Sequence, residues 1–264
     1  MVVFLKKKLL VSIFLFGILL SVSSCYSTDY NVDSNNSPSV IILDRNVHGN
    51  VIKNTYINKY MPKTNFNRNL MNKLKKGSVV YRFGNGSGKK VLICAGMHGN
   101  EPQGPLAVLK FMSFLKGKHI NGTIYIIPFA IPRTTGLNTR NYRGYDPNRK
   151  VSVKGSPANK ILKFALANDI DYILDIHAAS GVERYGLIFY RNRFEKSWAS
   201  YVKKRAKCNI RFQRTPGSLR MAASSKKINT ITIEVNRKYS SNKAIYTELR
   251  MIKYSSQYLG LLKI

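Results

Sequence analysis

Three short segments, far apart in the chain, hold residues that could do hydrolytic chemistry together: His98-Gly99-Asn100-Glu101, Asp175-Ile176-His177 and Thr232-Ile233-Glu234-Val235. His98, Glu101 and His177 offer two imidazoles and one carboxylate, a set that gives zinc three protein ligands and leaves its fourth position to water. Glu234 is then a candidate for the base that takes a proton from that water. The chain has only four histidines. With so few, a His followed three residues later by Glu is expected by chance only about 0.08 times.

The surrounding sequence sharpens this reading. Residues 90–95 form an apolar run expected to be a buried strand, so 96–101 become the loop at its carboxyl end. Residues 172–176 read as a second such strand with His177 at its end. Open α/β sheets place their ligands outside the carboxyl ends of their strands. Taken singly, His98 could be a turn histidine, Glu101 a solvated charge and His177 a satisfied core residue. Brought to one sheet edge, the three make a zinc site the better reading.

The elements that must position them alternate. Strands are expected at 39–43, 79–83, 90–95, 123–127, 172–176, 186–190 and 230–235. Helices are expected at 104–115, 157–168, 194–207 and 242–262. The helix at 104–115 follows from apolar residues at helical spacing, Leu106, Leu109, Phe111, Met112 and Leu115. Pro157 stands at a helix start, where its missing N–H costs nothing. Alternating strands and helices predict an α/β fold, a three-layer sandwich whose mixed, largely parallel central sheet is flanked by helices.

The chain of 264 residues is long enough for one substantial domain with a buried core. Lys6-Lys7-Lys8, an apolar run over 9–20 and the small residues Ser21, Ser23 and Ser24 have the order of a secretory signal, too short for a comfortable membrane span. Val22-Ser23-Ser24-Cys25 resembles a lipobox, in which the cysteine is lipidated; an uncleaved signal anchor is the alternative. The expected organisation is a signal peptide or anchor over 1–24, a polar tether over 25–39 and a catalytic domain over 40–264. The domain would be exported, and tied to the membrane through its N-terminus or secreted. Cys94 and Cys208 could pair outside the cytoplasm, although Cys94 sits in an apolar strand and reads as a small core residue.

Further motifs carry a resemblance to a known family. Residues 96–105, running from Gly96 to Pro105, are similar to the first zinc motif of the succinylglutamate desuccinylase/aspartoacylase family, within the wider zinc carboxypeptidase superfamily. Asp146-Pro147-Asn148-Arg149 resembles its Asp-Leu-Asn-Arg segment, with Pro147 replacing Leu and stiffening the turn. Leu174-Asp175-Ile176-His177 resembles the segment with the last zinc ligand, and residues 231–235 match the strand bearing the catalytic Glu. The resemblance implies that His98, Glu101 and His177 bind one zinc ion per chain and that Glu234 is the general base or acid. It further implies that Asn148 and Arg149 hold a substrate carboxylate and that a preceding arginine stabilises the oxyanion. Arg140 and Arg143 compete for that last part; Arg140 is favoured, leaving Arg143 to substrate binding. Asp175, two residues before His177 on an extended strand, faces the same side and could orient it.

The expected activity is hydrolysis of an amide bond, in a peptide or an N-acyl amino acid, beside a free carboxylate. Export turns attention to cell-wall peptides and so to a carboxypeptidase. The rival is a non-catalytic cationic surface lipoprotein that binds anionic envelope polymers, which a net charge of +32 would favour. Such a binder has no use for Glu234 beside a complete ligand set. Nucleic acid is not an expected partner: the basic residues are scattered rather than gathered in a stripe, and the export signal argues against it.

Overall fold

In the computed structural model, residues 38–182, 186–238 and 241–264 are described. The segment expected to be a signal or anchor, Cys25 and the tether up to residue 37 lie outside them. Among the described residues no helix is long and apolar enough to cross a membrane.

Among the described residues eight strands form one sheet: β1 (Ser39–Asp44), β2 (Ser78–Gly84), β3 (Lys90–Ala95), β4 (Thr123–Ile127), β5 (Tyr172–Ala179), β6 (Leu187–Tyr190), β7 (Asn209–Phe212) and β8 (Asn229–Asn236). Their spatial order is β1-β2-β4-β3-β5-β8-β6-β7. The centre is parallel, β4 with β3, β3 with β5 and β5 with β8, and so is the β6–β7 pair at the far edge. The β1–β2, β2–β4 and β6–β8 pairs are antiparallel. This is the mixed, largely parallel sheet that the alternating elements predict.

The helices are α1 (Thr55–Tyr60), α2 (Asn65–Leu74), α3 (Gln103–Leu115), α4 (Pro132–Leu137), α5 (Pro157–Ala167), α6 (Arg193–Ala206), α7 (Leu219–Ser225) and α8 (Ser241–Tyr258). Side chains alternate across a strand, so each central strand splits its residues between two layers. Ile124 and Ile126 of β4, Leu174, Ile176 and Ala178 of β5, and Ile231, Ile233 and Val235 of β8 join the large core with α3, α6 and α8. Tyr125 points the other way and meets Phe164 of α5 edge-on. That second face of β5 and β8 carries Asp175, His177, Thr232 and Glu234. The period of two thus sends the apolar half of each strand into the core and delivers the polar half to one surface.

Among the described residues, four α-helices (α1, α2, α4 and α7) and one strand escape the sequence reading. In α2, Leu70, Met71 and Leu74 are buried while Asn65, Asn67 and Asn72 lower the local helix propensity. Tertiary burial wins, because each fully buried Leu contributes about 1.5–3 kcal/mol. Thr64 caps that helix through its hydroxyl, which accepts from the Asn67 amide. β7 is only four residues long and pairs along one side, with β6. The strand at 172–176 extends to Ala179, so His177 lies inside the last turn of pleat rather than beyond it.

Candidate active site

β3 ends at Ala95, and the chain then turns across the carboxyl edge of the sheet before α3 begins at Gln103. That turn is held tightly: the Gly99 amide donates to the Thr139 carbonyl at 2.8 Å. A Cβ on Gly99 would lie 1.9 Å from the Thr134 carbonyl oxygen, so only glycine fits there. The turn presents His98 and Glu101, both buried, to His177 on β5.

The three residues converge. His98 Nδ1 lies 3.0 Å from one Glu101 oxygen and His177 Nδ1 lies 2.9 Å from the other. One ligand atom from each falls within 4.8 Å of the others. The opposite ring nitrogens are engaged elsewhere. His98 Nε2 is 2.8 Å from Asp146, and His177 Nε2 is 3.1 Å from Asp175 and 3.1 Å from the Asn148 amide nitrogen. A proton on each Nε2, donated to its carboxylate, leaves each Nδ1 with its lone pair facing Glu101. Carboxylates that hold the far nitrogen in this way orient metal-binding histidines and raise their basicity. The donor set therefore fits a divalent cation of the zinc type, and His98, Glu101 and His177 form a candidate metal site.

The electrostatics agree. Burial works against the charged form of Glu101, but hydrogen bonds and charge from His177 and His98 overcome it and hold the carboxyl well below its usual range. Burial likewise disfavours a charged His177, yet Asp175 and Glu101 on either side outweigh it, raise its pKa and draw positive charge to the ring. The cluster of carboxylates calls for positive charge, which a metal ion supplies.

Glu234 is the in-register neighbour of His177 on β8. Burial raises its pKa first of all, Glu101 and Asp175 add to the rise, and the histidines oppose it. Its side chain lines a cavity of about 130 Å³ together with the three candidate ligands. Arg140 also lines that cavity, half-exposed, with Nη1 3.0 Å from Glu101 and Nη2 2.8 Å from Asp146. Asn148 is buried; its side-chain oxygen accepts from the Leu219 amide, fixing the amide beside His177. Arg149 is exposed at the cavity wall, its Nη1 donating to the Asn148 carbonyl at 2.9 Å.

Of the expected site residues, one goes elsewhere. Arg143 has a left-handed φ of 49°, which turns it out of the site and over the Tyr142 ring, into a different cavity. Arg140 alone of the two competing arginines reaches the candidate metal ligands.

The structure adds residues that the sequence reading did not assign. Asp146 bridges His98 and Arg140 across 48 and 6 residues of sequence. Gln213, Thr215, Ser218 and Thr232 complete the wall. Beneath them Arg220 is buried, its Nε donating to the Thr232 hydroxyl at 3.1 Å and its Nη1 to the Gln213 carbonyl at 2.6 Å. Burial lowers the Arg220 pKa, opposed by Asp175, Glu195 and Glu234. Gly217 lets this wall pack against the loop that carries Arg149: a Cβ there would stand 2.4 Å from the Arg149 carbonyl oxygen. A buried arginine in a short helix leaves no periodic signal by which to find it.

Comparison with known proteins bears on this architecture. Residues 87–255 match the model of the succinylglutamate desuccinylase/aspartoacylase catalytic domain. No curated protein matches the chain. Among solved structures, an aspartoacylase family protein from Mesorhizobium loti is similar at a TM-score of 0.57 and 23% identity, over 71% of this chain and 62% of that one. A succinylglutamate desuccinylase/aspartoacylase from Rhodobacter sphaeroides gives 0.58 and 17%, over 73% and 63%. The tripeptide-bound cell shape determinant protein Csd4 from Helicobacter pylori gives 0.59 and 14%, over 70% and 56%. The overlap thus takes in less than two thirds of each of these three proteins. At these identities they speak for the fold; the match over 87–255, which spans every candidate ligand and Glu234, speaks for the family. The chain belongs to the succinylglutamate desuccinylase/aspartoacylase family, with a hydrolase fold and a candidate metal site of His98, Glu101 and His177.

Proposed function

We propose that this chain is a zinc-dependent hydrolase that cleaves an amide bond beside a free carboxylate, with peptides, including cell-wall peptides, as its substrate class. The observation that carries the reading is the convergence of His98 Nδ1, His177 Nδ1 and Glu101 beside the partly buried Glu234. The Csd4 structure, crystallised with a tripeptide, supports a peptide over a small acyl-amino acid. Export through the basic and apolar N-terminal segment, with anchorage at Cys25 or by an uncleaved anchor, is part of the same reading.

Zinc held by the three ligands would lower the pKa of a water towards neutrality and polarise the scissile carbonyl. Glu234 accepts a proton from the attacking water and delivers it to the leaving nitrogen. Its raised pKa suits both halves of that exchange. Arg140 donates to the oxygen that gains charge, already held in place by Glu101 and Asp146. Arg149 grips the free carboxylate with its forked guanidinium, which lysine cannot reproduce. Asn148, its oxygen held by the Leu219 amide, lines the cavity beside Arg149 and shares in holding that carboxylate.

The test is incubation of the zinc-loaded protein with cell-wall peptides and N-acyl amino acids, read by mass spectrometry. Release of a residue next to a free carboxylate, absent with the matching amide, is the expected result. No cleavage of either class, with zinc bound, would overturn the reading.

A further inference from the structure

A second cavity lies on the other side of the loop that carries Arg140 and Asn148. At about 370 Å³ it is larger than the candidate active site, and its walls include Tyr142, Arg143, Tyr145, Lys150 and Lys154. The three cations are exposed at its rim, and none makes an ion pair among the described residues. Asp44, the acid in the wall, is already spent: Lys160 lies 2.6 Å from its Oδ1, which also accepts from the Asn46 amide. Gly155, the N-cap Ser156 and Pro157 at the start of α5 form one side and bring the positive end of a helix dipole near it.

The aromatic wall is built rather than incidental. Tyr142 is buried, its hydroxyl donating to the Asn46 carbonyl at 3.1 Å. It meets the half-buried Tyr145 edge-on at 6.0 Å, and the two are joined by a backbone bridge across Arg143 and Gly144. Arg143 is held over the Tyr142 ring at 5.2 Å by the left-handed turn described above. A flat ring to lie on and three unneutralised cations around it suit a ligand with one apolar face and one oxyanion.

We infer that this cavity binds an oxyanion-bearing sugar, a sugar phosphate or a uronic acid, as a site separate from the hydrolytic centre. Arg143 and the two lysines hold the anion, and Tyr145 supports the sugar ring. Loop 142–150 forms the cavity wall with one side and presents Asp146, Asn148 and Arg149 to the candidate active site with the other. The inference does not depend on the hydrolase reading, since it uses none of the candidate metal ligands.

The experiment titrates the full-length protein, zinc-loaded, with glucose 6-phosphate, glucuronate, inorganic phosphate and glucose, following backbone amide NMR shifts. Saturable shifts centred on residues 143–156 are expected for one or both charged sugars, and none for glucose. Whichever charged sugar binds identifies the source of the anion. Inorganic phosphate should bind less tightly than the sugar, since it lacks the ring. The R143Q/K150Q/K154Q variant should lose at least about tenfold in affinity, as expected when charge-assisted hydrogen bonds vanish. K154E alone, with an unchanged unfolding temperature, should weaken binding in the same direction. Equal affinity in these variants, shifts centred instead on His98 and His177, or no binding of either charged sugar would overturn the inference.

Discussion

His177 and Glu234 are register partners on the adjacent parallel strands β5 and β8. Neighbouring strands run about 4.8 Å apart, so a ligand imidazole and a partly buried carboxylate stand side by side on one face of the sheet. No loop intervenes to loosen that spacing. Slipping β8 by one residue would send Glu234 into the apolar core, and the burial of Ile231, Ile233 and Val235 forbids it.

Metal content is the most direct check. The wild-type protein should carry about one zinc per chain, as a site with three protein ligands would. His98→Ala and His177→Ala should each empty it under the same loading conditions. Equal metal in wild type and both variants, by elemental analysis, would remove the site.

Asp146→Asn and Asp175→Asn test the groups behind the ligands. Each should weaken metal binding by roughly 10–100-fold without abolishing it, the usual cost of losing such a partner. Competition with a chelator measures this. An unchanged affinity in both would show that the far ring nitrogens do not need their carboxylates.

For Glu234, Gln keeps the shape and removes the base. Turnover should fall by roughly 10²-fold or more while zinc stays bound. The pH profile gives a second check. Burial raises the Glu234 pKa, and the ionised form is the base, so activity should be lost as pH falls through a midpoint above the usual value of about 4.3. With zinc kept saturating, an acid limb centred at the ordinary carboxylate value would contradict this assignment.

The two arginines should separate by kinetic signature. Arg140→Gln removes the donor to the developing oxyanion, and kcat should fall by about 10²–10³-fold. Arg149→Lys should mainly raise KM for free-acid substrates and narrow the preference over the amide. A variant of Arg149 that still distinguishes acid from amide as wild type does would exclude it from carboxylate recognition.

Gly99→Ala probes the turn itself. A methyl group there meets the Thr134 carbonyl, and relieving that clash should cost more than about 2 kcal/mol, in the range of severe single substitutions. Thermal unfolding followed by circular dichroism reads it, and an unchanged midpoint would mean the turn can move aside.

Much of this was legible before any coordinates. The strands at 90–95 and 123–127 are apolar runs bounded by Gly or Pro, and their limits are observed as read. The three candidate ligands could be picked out because metal chemistry restricts residue types so severely, and the structure brings them together. Asp146's hold on His98 could not, because a contact across 48 residues leaves no local pattern. Arg143 and Arg140 look interchangeable in sequence; a single left-handed residue before Gly144 decides which one faces the candidate ligands. β7 and α7 were hidden for a different reason. They are four and seven residues long, too short for periodicity to rise above their polar content. Cys94 and Cys208 are both buried and unpaired, so the domain holds together without the disulfide that an exported chain allows. Burial pushes the Cys208 thiol up to about 12 and the Cys94 thiol well above its ordinary range, which makes both poor nucleophiles.

The candidate ligands come from a turn after β3 and from near the end of β5, and their supports are Asp146 in the loop at 140–149 and Asp175 on β5. Together they span residues 98–177 and need β3, β5 and that loop in their folded places. A metal ion at the candidate site would therefore be captured by the finished fold, and an unfolded chain would have little means of competing for it. Mass action would then tie the stability of the native state to the supply of free metal. Each tenfold rise in free zinc above the dissociation constant deepens the native well by about 1.4 kcal/mol. Under the proposed zinc dependence, a chelator that withholds the ion would therefore lower the unfolding temperature as well as stop turnover.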